Sequence, residues 1–184
     1  LRMNAAFDPF VGDTISGNGL YVSLTDLGTI YEHPEFQLPD SDGSRIILRQ
    51  TGTDSYHATH CAGTIGAWGY DPTLIGMAPR VWLRSLVYPY NVVAGILDYG
   101  MRYPGETLDG VTANPRTGAL QVRSAVGSTS LGATDSNTNR GVYTSDSAAW
   151  DQAMWDYPYY IEFYAAGNDG SGGTTFATLC EDQQ

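Results

Sequence analysis

The residues best suited to chemistry are His57 and His60, three apart in the stretch His57-Ala58-Thr59-His60-Cys61-Ala62-Gly63-Thr64-Ile65-Gly66-Ala67. The chain has only three histidines, and two of them open this segment of small residues. Its composition predicts a helix packed tightly against a neighbour. A helix N-terminus turns unpaired N–H groups and a partial positive charge outward, a setting that suits reactive groups. Two further stretches are its companions. Asp26-Leu27-Gly28 closes an apolar run upstream, and Ala165-Ala166-Gly167-Asn168-Asp169-Gly170 closes another downstream. An imidazole, a carboxylate and a carboxamide together offer acid–base chemistry with a hydrogen-bond donor beside it.

These residues need elements to hold them. Residues 1–19 are loop-like and end in the turn signal Gly17-Asn18-Gly19. Leu20 to Leu24 predicts a short buried strand with Asp26 at its carboxyl end. His33-Pro34 marks a turn, and Arg45 to Leu48 a second strand. The histidine helix runs to about Trp68, with Gly63 allowing close backbone approach. Val81 to Val87 predicts a strand, and Asn91 to Met101 a helix with Val92, Val93, Ile96 and Leu97 as its apolar positions. Residues 103–119 are loop-like. Leu120 to Val126 predicts a strand leading into Ser130-Leu131-Gly132. After a polar stretch, Ser147 to Tyr157 carries Trp150, Ala153, Met154 and Tyr157 at helical spacing. Tyr159 to Ala165 is a final strand that delivers Asn168. Strands alternating with helices predict an α/β domain, a mainly parallel sheet with helices on both faces. Functional groups then collect beyond the carboxyl ends of the strands, where Asp26, Ser130 and Asn168 all fall.

Length and charge narrow the rest. The 184 residues suffice for one domain with a real core. A formal charge of −11 argues against nucleic acid as a partner. The imbalance comes from scarce bases, nine arginines with no lysine, against 20 acidic residues. No run of about 18 apolar residues suggests a membrane span. Leu1 shows no signal peptide, which fits a processed or truncated start. Two cysteines, Cys61 and Cys180, make no disulfide framework, and Cys61 reads as a buried free thiol.

Five blocks in order resemble subtilisin-like serine proteases, over roughly residues 18 to 170. His57-Ala58-Thr59-His60-Cys61-Ala62-Gly63-Thr64 resembles the His-Gly-Thr-His-x-Ala-Gly-Thr block, and its cysteine is that of the proteinase K branch. Asp26-x-Gly28 followed by His33-Pro34-Glu35-Phe36 resembles the aspartate block. Gly76-Met77-Ala78-Pro79 resembles the Gly-Val-Ala-Pro after the histidine helix. Ser130-Leu131-Gly132 resembles the substrate strand, and Ala166-Gly167-Asn168 the oxyanion block.

The resemblance implies a three-layer α/β/α fold, with residues 1–184 as the N-terminal portion of one peptidase domain and the sheet incomplete at its C-terminal side. It implies a secreted serine endopeptidase acting by acyl transfer on polypeptide substrates. Asp26 would be the orienting acid, His57 the general base and Asn168 a donor to the oxyanion. Ser130, Leu131 and Gly132 would line the substrate groove. Glu35 and Asp71 are offered as ligands of a structural calcium, with solvated surface carboxylates as the alternative. No cofactor is needed for the chemistry. His60 is expected to be structural, and His33 to shape its turn. The family's Gly-Thr-Ser-x-Ala block is absent from these residues, so the nucleophile is expected on a complementing segment or chain. The rival expectation is a protease-derived scaffold or assembly subunit that binds without cleaving.

Overall fold

A computed structural model describes residues 16–39, 43–88, 92–108, 121–131 and 143–165, which build a five-stranded, all-parallel sheet with helices on both sides. In chain order the elements are β1 (Tyr21–Asp26), a 3-10 turn (Pro34–Phe36), β2 (Ile46–Arg49), α1 (Tyr56–Gly66), β3 (Trp82–Val87), α2 (Val92–Tyr99), β4 (Val126–Thr129), α3 (Ser145–Asp156) and β5 (Ile161–Tyr164). Across the sheet the order is β2-β3-β1-β4-β5, so the first strand sits in the middle.

All six residues of β1 are buried, as expected of a parallel strand covered on both faces. Val22 and Leu24 share one face with Leu83 of β3 and pack against Ala58 and Ala62 of α1. Truncating Leu24 to alanine there should cost about 2–5 kcal/mol. The alternate residues turn the other way. The Ser23 and Ser124 hydroxyls bond at 2.8 Å, and the Arg84 guanidinium lies over the rings of Tyr21 and of Tyr99 on α2. On that second face Ile96, Ala153, Tyr157 and Tyr160 close a core between α2, α3 and the approach to β5. α1 and the α2–α3 pair therefore form the outer layers of a three-layer α/β arrangement.

Ser55 starts α1 by accepting the Ala58 N–H at 3.2 Å. Ala58, Ala62 and Gly66, spaced by four, form its buried stripe, and their size lets the helix approach the sheet closely. The helix ends with its carbonyls occupied. Met77 N–H donates to Thr64 O, Ala78 N–H to Ile65 O and Gly76 N–H to Ala67 O. The Gly76-Met77-Ala78 block is thus the C-terminal cap of α1. A side chain at Gly76 would meet backbone atoms of α1 at 2.6–2.8 Å, so glycine is required there. The close approach expected at Gly63 occurs instead at Gly66 and Gly76; a Cβ at Gly63 would meet nothing within 4 Å among the described residues.

Arg45 completes this end. It is 1% exposed and donates to Val81 O, Glu35 O and Gly66 O at 2.6–2.9 Å. Burial pulls its pKa down to about 10, which leaves it charged at neutral pH.

The strand that departs furthest from expectation is β4. The segment 121–125 precedes β4 without joining the sheet, apart from single bridges from Val122 to Thr107 and from Ser124 to Gly100. Arg84 accounts for this, since its guanidinium donates to Val122 O and Ser124 Oγ and holds the segment over the sheet face. The last helix begins two residues before the expected Ser147, because Thr144 forms a reciprocal capping box with Ser147.

Candidate active site

Asp26 ends β1, on the same face as Val22 and Leu24, and that face carries α1. His57 is the second residue of α1. The two meet with His57 Nδ1 2.7 Å from Asp26 Oδ2. Asp26 is 1% exposed, whereas the His57 side chain is 61% exposed. Asp26 Oδ1 also accepts the Leu27 N–H at 2.7 Å, which fixes the carboxylate plane. An ionised carboxylate can only accept hydrogen bonds, so a neutral imidazole in this contact has its proton on Nδ1 and its lone pair on Nε2. A buried acid thus holds an exposed imidazole in an orientation that favours the Nδ1–H tautomer and leaves Nε2 open.

Two flanking loops bring the pair together. Thr29 N–H donates to Thr53 O and Ser55 N–H donates to Thr29 O, both at 2.9 Å. These make a parallel bridge between Thr29 and Asp54. Thr29 Oγ1 donates to Asp54 Oδ1 at 2.6 Å. Gly28 makes the contact feasible, because a Cβ there would lie 2.8 Å from Ser55 Cβ and against Thr53 O. Beyond His57, Tyr31 N–H donates to Thr59 Oγ1 at 2.9 Å.

The neighbouring strand register carries Ser130 to the same end of the sheet. Thr25 pairs with Thr129, so Ser130 follows one residue on, beside Asp26. The half-buried Cys61 thiol donates to Ser130 Oγ at 3.7 Å. Leu131 is half-buried just past the strand. Gly132, Asn168 and Cys180 lie outside the described residues.

Cys61 follows His57 by one helical turn, and ligand atoms of Asp26, His57 and Cys61 lie within 4.8 Å of one another. This is the one cluster of three such groups among the described residues. Its sulfur is a poor match to calcium, which takes oxygen ligands.

Glu35 and Asp71, the residues offered for calcium, both accept bonds from the turn at residues 69–73. Glu35 is 6% exposed, and its carboxylate accepts the N–H groups of Gly69, Tyr70 and Asp71 at 2.6–3.2 Å. Three donors turned toward the carboxylate take up three of its roughly four lone-pair sites, which leaves Glu35 little capacity for a calcium ion. Asp71 is exposed and accepts from Thr73 N–H and Oγ1, bonds that lower its pKa. His33 caps the 3-10 turn by accepting the Glu35 N–H at 3.2 Å, and His60 is exposed.

A groove of about 640 Å³ runs along α1, lined among others by Tyr31, Tyr56, His60, Leu74 and Met77. Sequence reading does not single it out. Tyr56, His60, Gly63 and Ala67 do recur at helical spacing, which was the available signal.

Comparison with known proteins points the same way as the pair. Subtilisin-like protease 5 of Arthroderma gypseum is 34% identical over 61 residues, which are 33% of this chain and 15% of that protein. Subtilisin-like protease 2 of Pseudogymnoascus destructans is 39% identical over 62 residues, 33% of this chain and 16% of that protein. A third of the chain is therefore similar to subtilisin-like proteases, and the matched stretch spans only a small part of those curated relatives. No family model matches the chain. None of the described helices is long and apolar enough to cross a membrane.

Proposed function

We propose that this chain supplies the acid, the base and part of the substrate groove of a secreted serine endopeptidase that cleaves polypeptides by acyl transfer. The observation that carries the reading is the 2.7 Å contact between buried Asp26 and exposed His57, in a chain partly similar to subtilisin-like proteases. His57 Nε2 would take the proton from a serine hydroxyl as it attacks the peptide carbonyl, then return it to the leaving amine. Asp26 would stabilise the imidazolium formed between those steps. Asn168 would donate to the oxyanion. Ser130, Leu131 and Gly132 would pair with the extended substrate. The serine would come from a segment or chain outside these 184 residues.

A serine-directed phosphonate probe on the native material tests this. Labelling of a serine on a co-purifying chain or continuation supports the peptidase. Absence of labelling with all chains present would favour a scaffold that binds without cleaving.

A further inference from the structure

We propose that Thr29 and Asp54 are positioning residues for His57, setting its ring on Asp26 through the side-chain bond that joins their two loops. For its effect on catalysis this rests on the peptidase reading above; its effect on the ring does not.

Asp26 and His57 belong to different elements, and neither element alone fixes their separation. Thr29 lies three residues after Asp26, and Asp54 three before His57, so their contact closes a short ring of chain around the pair. Thr29 is 1% exposed, while Asp54 is exposed. The bond is also charge-assisted, at 2.6 Å between hydroxyl and carboxylate, a class roughly twice as strong as neutral bonds. Backbone bonds on either side hold the loops in register, but a bridge of this kind can still pivot. The Thr29–Asp54 bond is the side-chain strut across the pivot. On the far side of His57, the Tyr31–Thr59 bond is the corresponding tie, so the start of α1 is tied to the loop after β1 on both sides of His57. Chemistry at Nε2 is sensitive to such placement, because a shift of about 1 Å can cost about 100-fold in rate.

The test reads the ring directly. In the intact protein, nitrogen-15 NMR of the His57 side chain is expected to show the Nδ1–H tautomer with a slowly exchanging proton. Asp54→Ala and Thr29→Val should shift the ring toward the Nε2–H tautomer and speed that exchange, while Asp54→Asn and Thr29→Ser restore it. With a complemented enzyme, kcat should fall by about 10- to 100-fold in the first two variants with KM little changed. Asp54 is exposed, so Asp54→Ala decides the matter even if Thr29→Val fails to fold. An unchanged tautomer and exchange rate in Asp54→Ala would overturn the proposal, as would failure of Asp54→Asn to restore them. A protein without peptidase activity would remove the acyl-transfer reading yet leave the tautomer result standing.

Discussion

Tyr160 donates its hydroxyl to the Glu162 carboxylate two residues along the chain, and both groups fill the notch left where Gly127 has no side chain. Glu162 pairs in register with Gly127 on β4 and faces the α2–α3 side of the sheet. Burial pushes its pKa from the ordinary 4.5 up to about 7, while the Tyr160 hydroxyl pulls the other way. Among the described residues no cation contributes to that balance. Burial likewise raises the Tyr160 hydroxyl, and the adjacent carboxylate adds to the rise.

A pH dependence of stability follows. The folded state holds the Glu162 proton more tightly than the unfolded chain does. The contribution is therefore full below about pH 4.5 and falls as pH rises to about 7, where it levels off. Its size is on the order of 3 kcal/mol at most. Thermal melts between pH 4 and 8 should show Glu162→Gln lacking this part of the slope. An identical slope in the variant would assign it to another group.

Gly127→Ala should be destabilising by about 1–3 kcal/mol, the usual cost of forcing extra volume into a packed site. The added methyl would overlap both the Tyr160 hydroxyl and the Glu162 carboxylate. Urea midpoints measure it. Combined with Glu162→Ala, which empties half of the notch, the loss should be smaller than the sum of the single changes.

Asp26→Asn should preserve the fold and remove the acceptor that holds the Nδ1–H tautomer of His57. In the complemented enzyme kcat should drop by about 10⁴-fold, the loss known for the same change in another serine-protease triad. A variant within tenfold of wild type would take Asp26 out of the mechanism.

Alkylation of Cys61 should be slow, since the thiol is half-buried, and should disable the site once complete. A bulky adduct beside the Asp26–His57 contact would displace the ring. Mass spectrometry locates the adduct, and full modification with activity retained would contradict this placement.

The alternation of strand and helix was legible because β1, β3 and β5 are short runs bounded by turns, and α1 is a run of small residues between two of them. The Asp26–His57 contact was legible only through motif order. Nothing in the spacing of residues 26 and 57 sets a 2.7 Å distance, which depends on the Thr29–Asp54 bridge between loops 25 residues apart. The start of β4 was misplaced because Val122 and Ser124 look strand-like locally, while a buried arginine from β3 claims their polar atoms. Glu162 falls within the run read as the final strand, and only the pairing of β5 with Gly127 shows where its carboxyl goes. Glu35 was offered as a metal ligand only through the family resemblance, and the backbone donors it meets come from 34 residues downstream, where spacing gives no sign of them.

The segment between α1 and β3 is secured at both ends by different partners. Glu35 grips the N–H groups of residues 69–71, and the last carbonyls of α1 grip those of residues 76–78. Pro72, Thr73 and Leu74 between them are exposed. A protease that nicks this stretch would create two new ends, each already tethered. The cut protein should therefore travel as one particle on a native gel and separate into two bands only after denaturation, which makes 72–74 a place to open the chain without releasing His57.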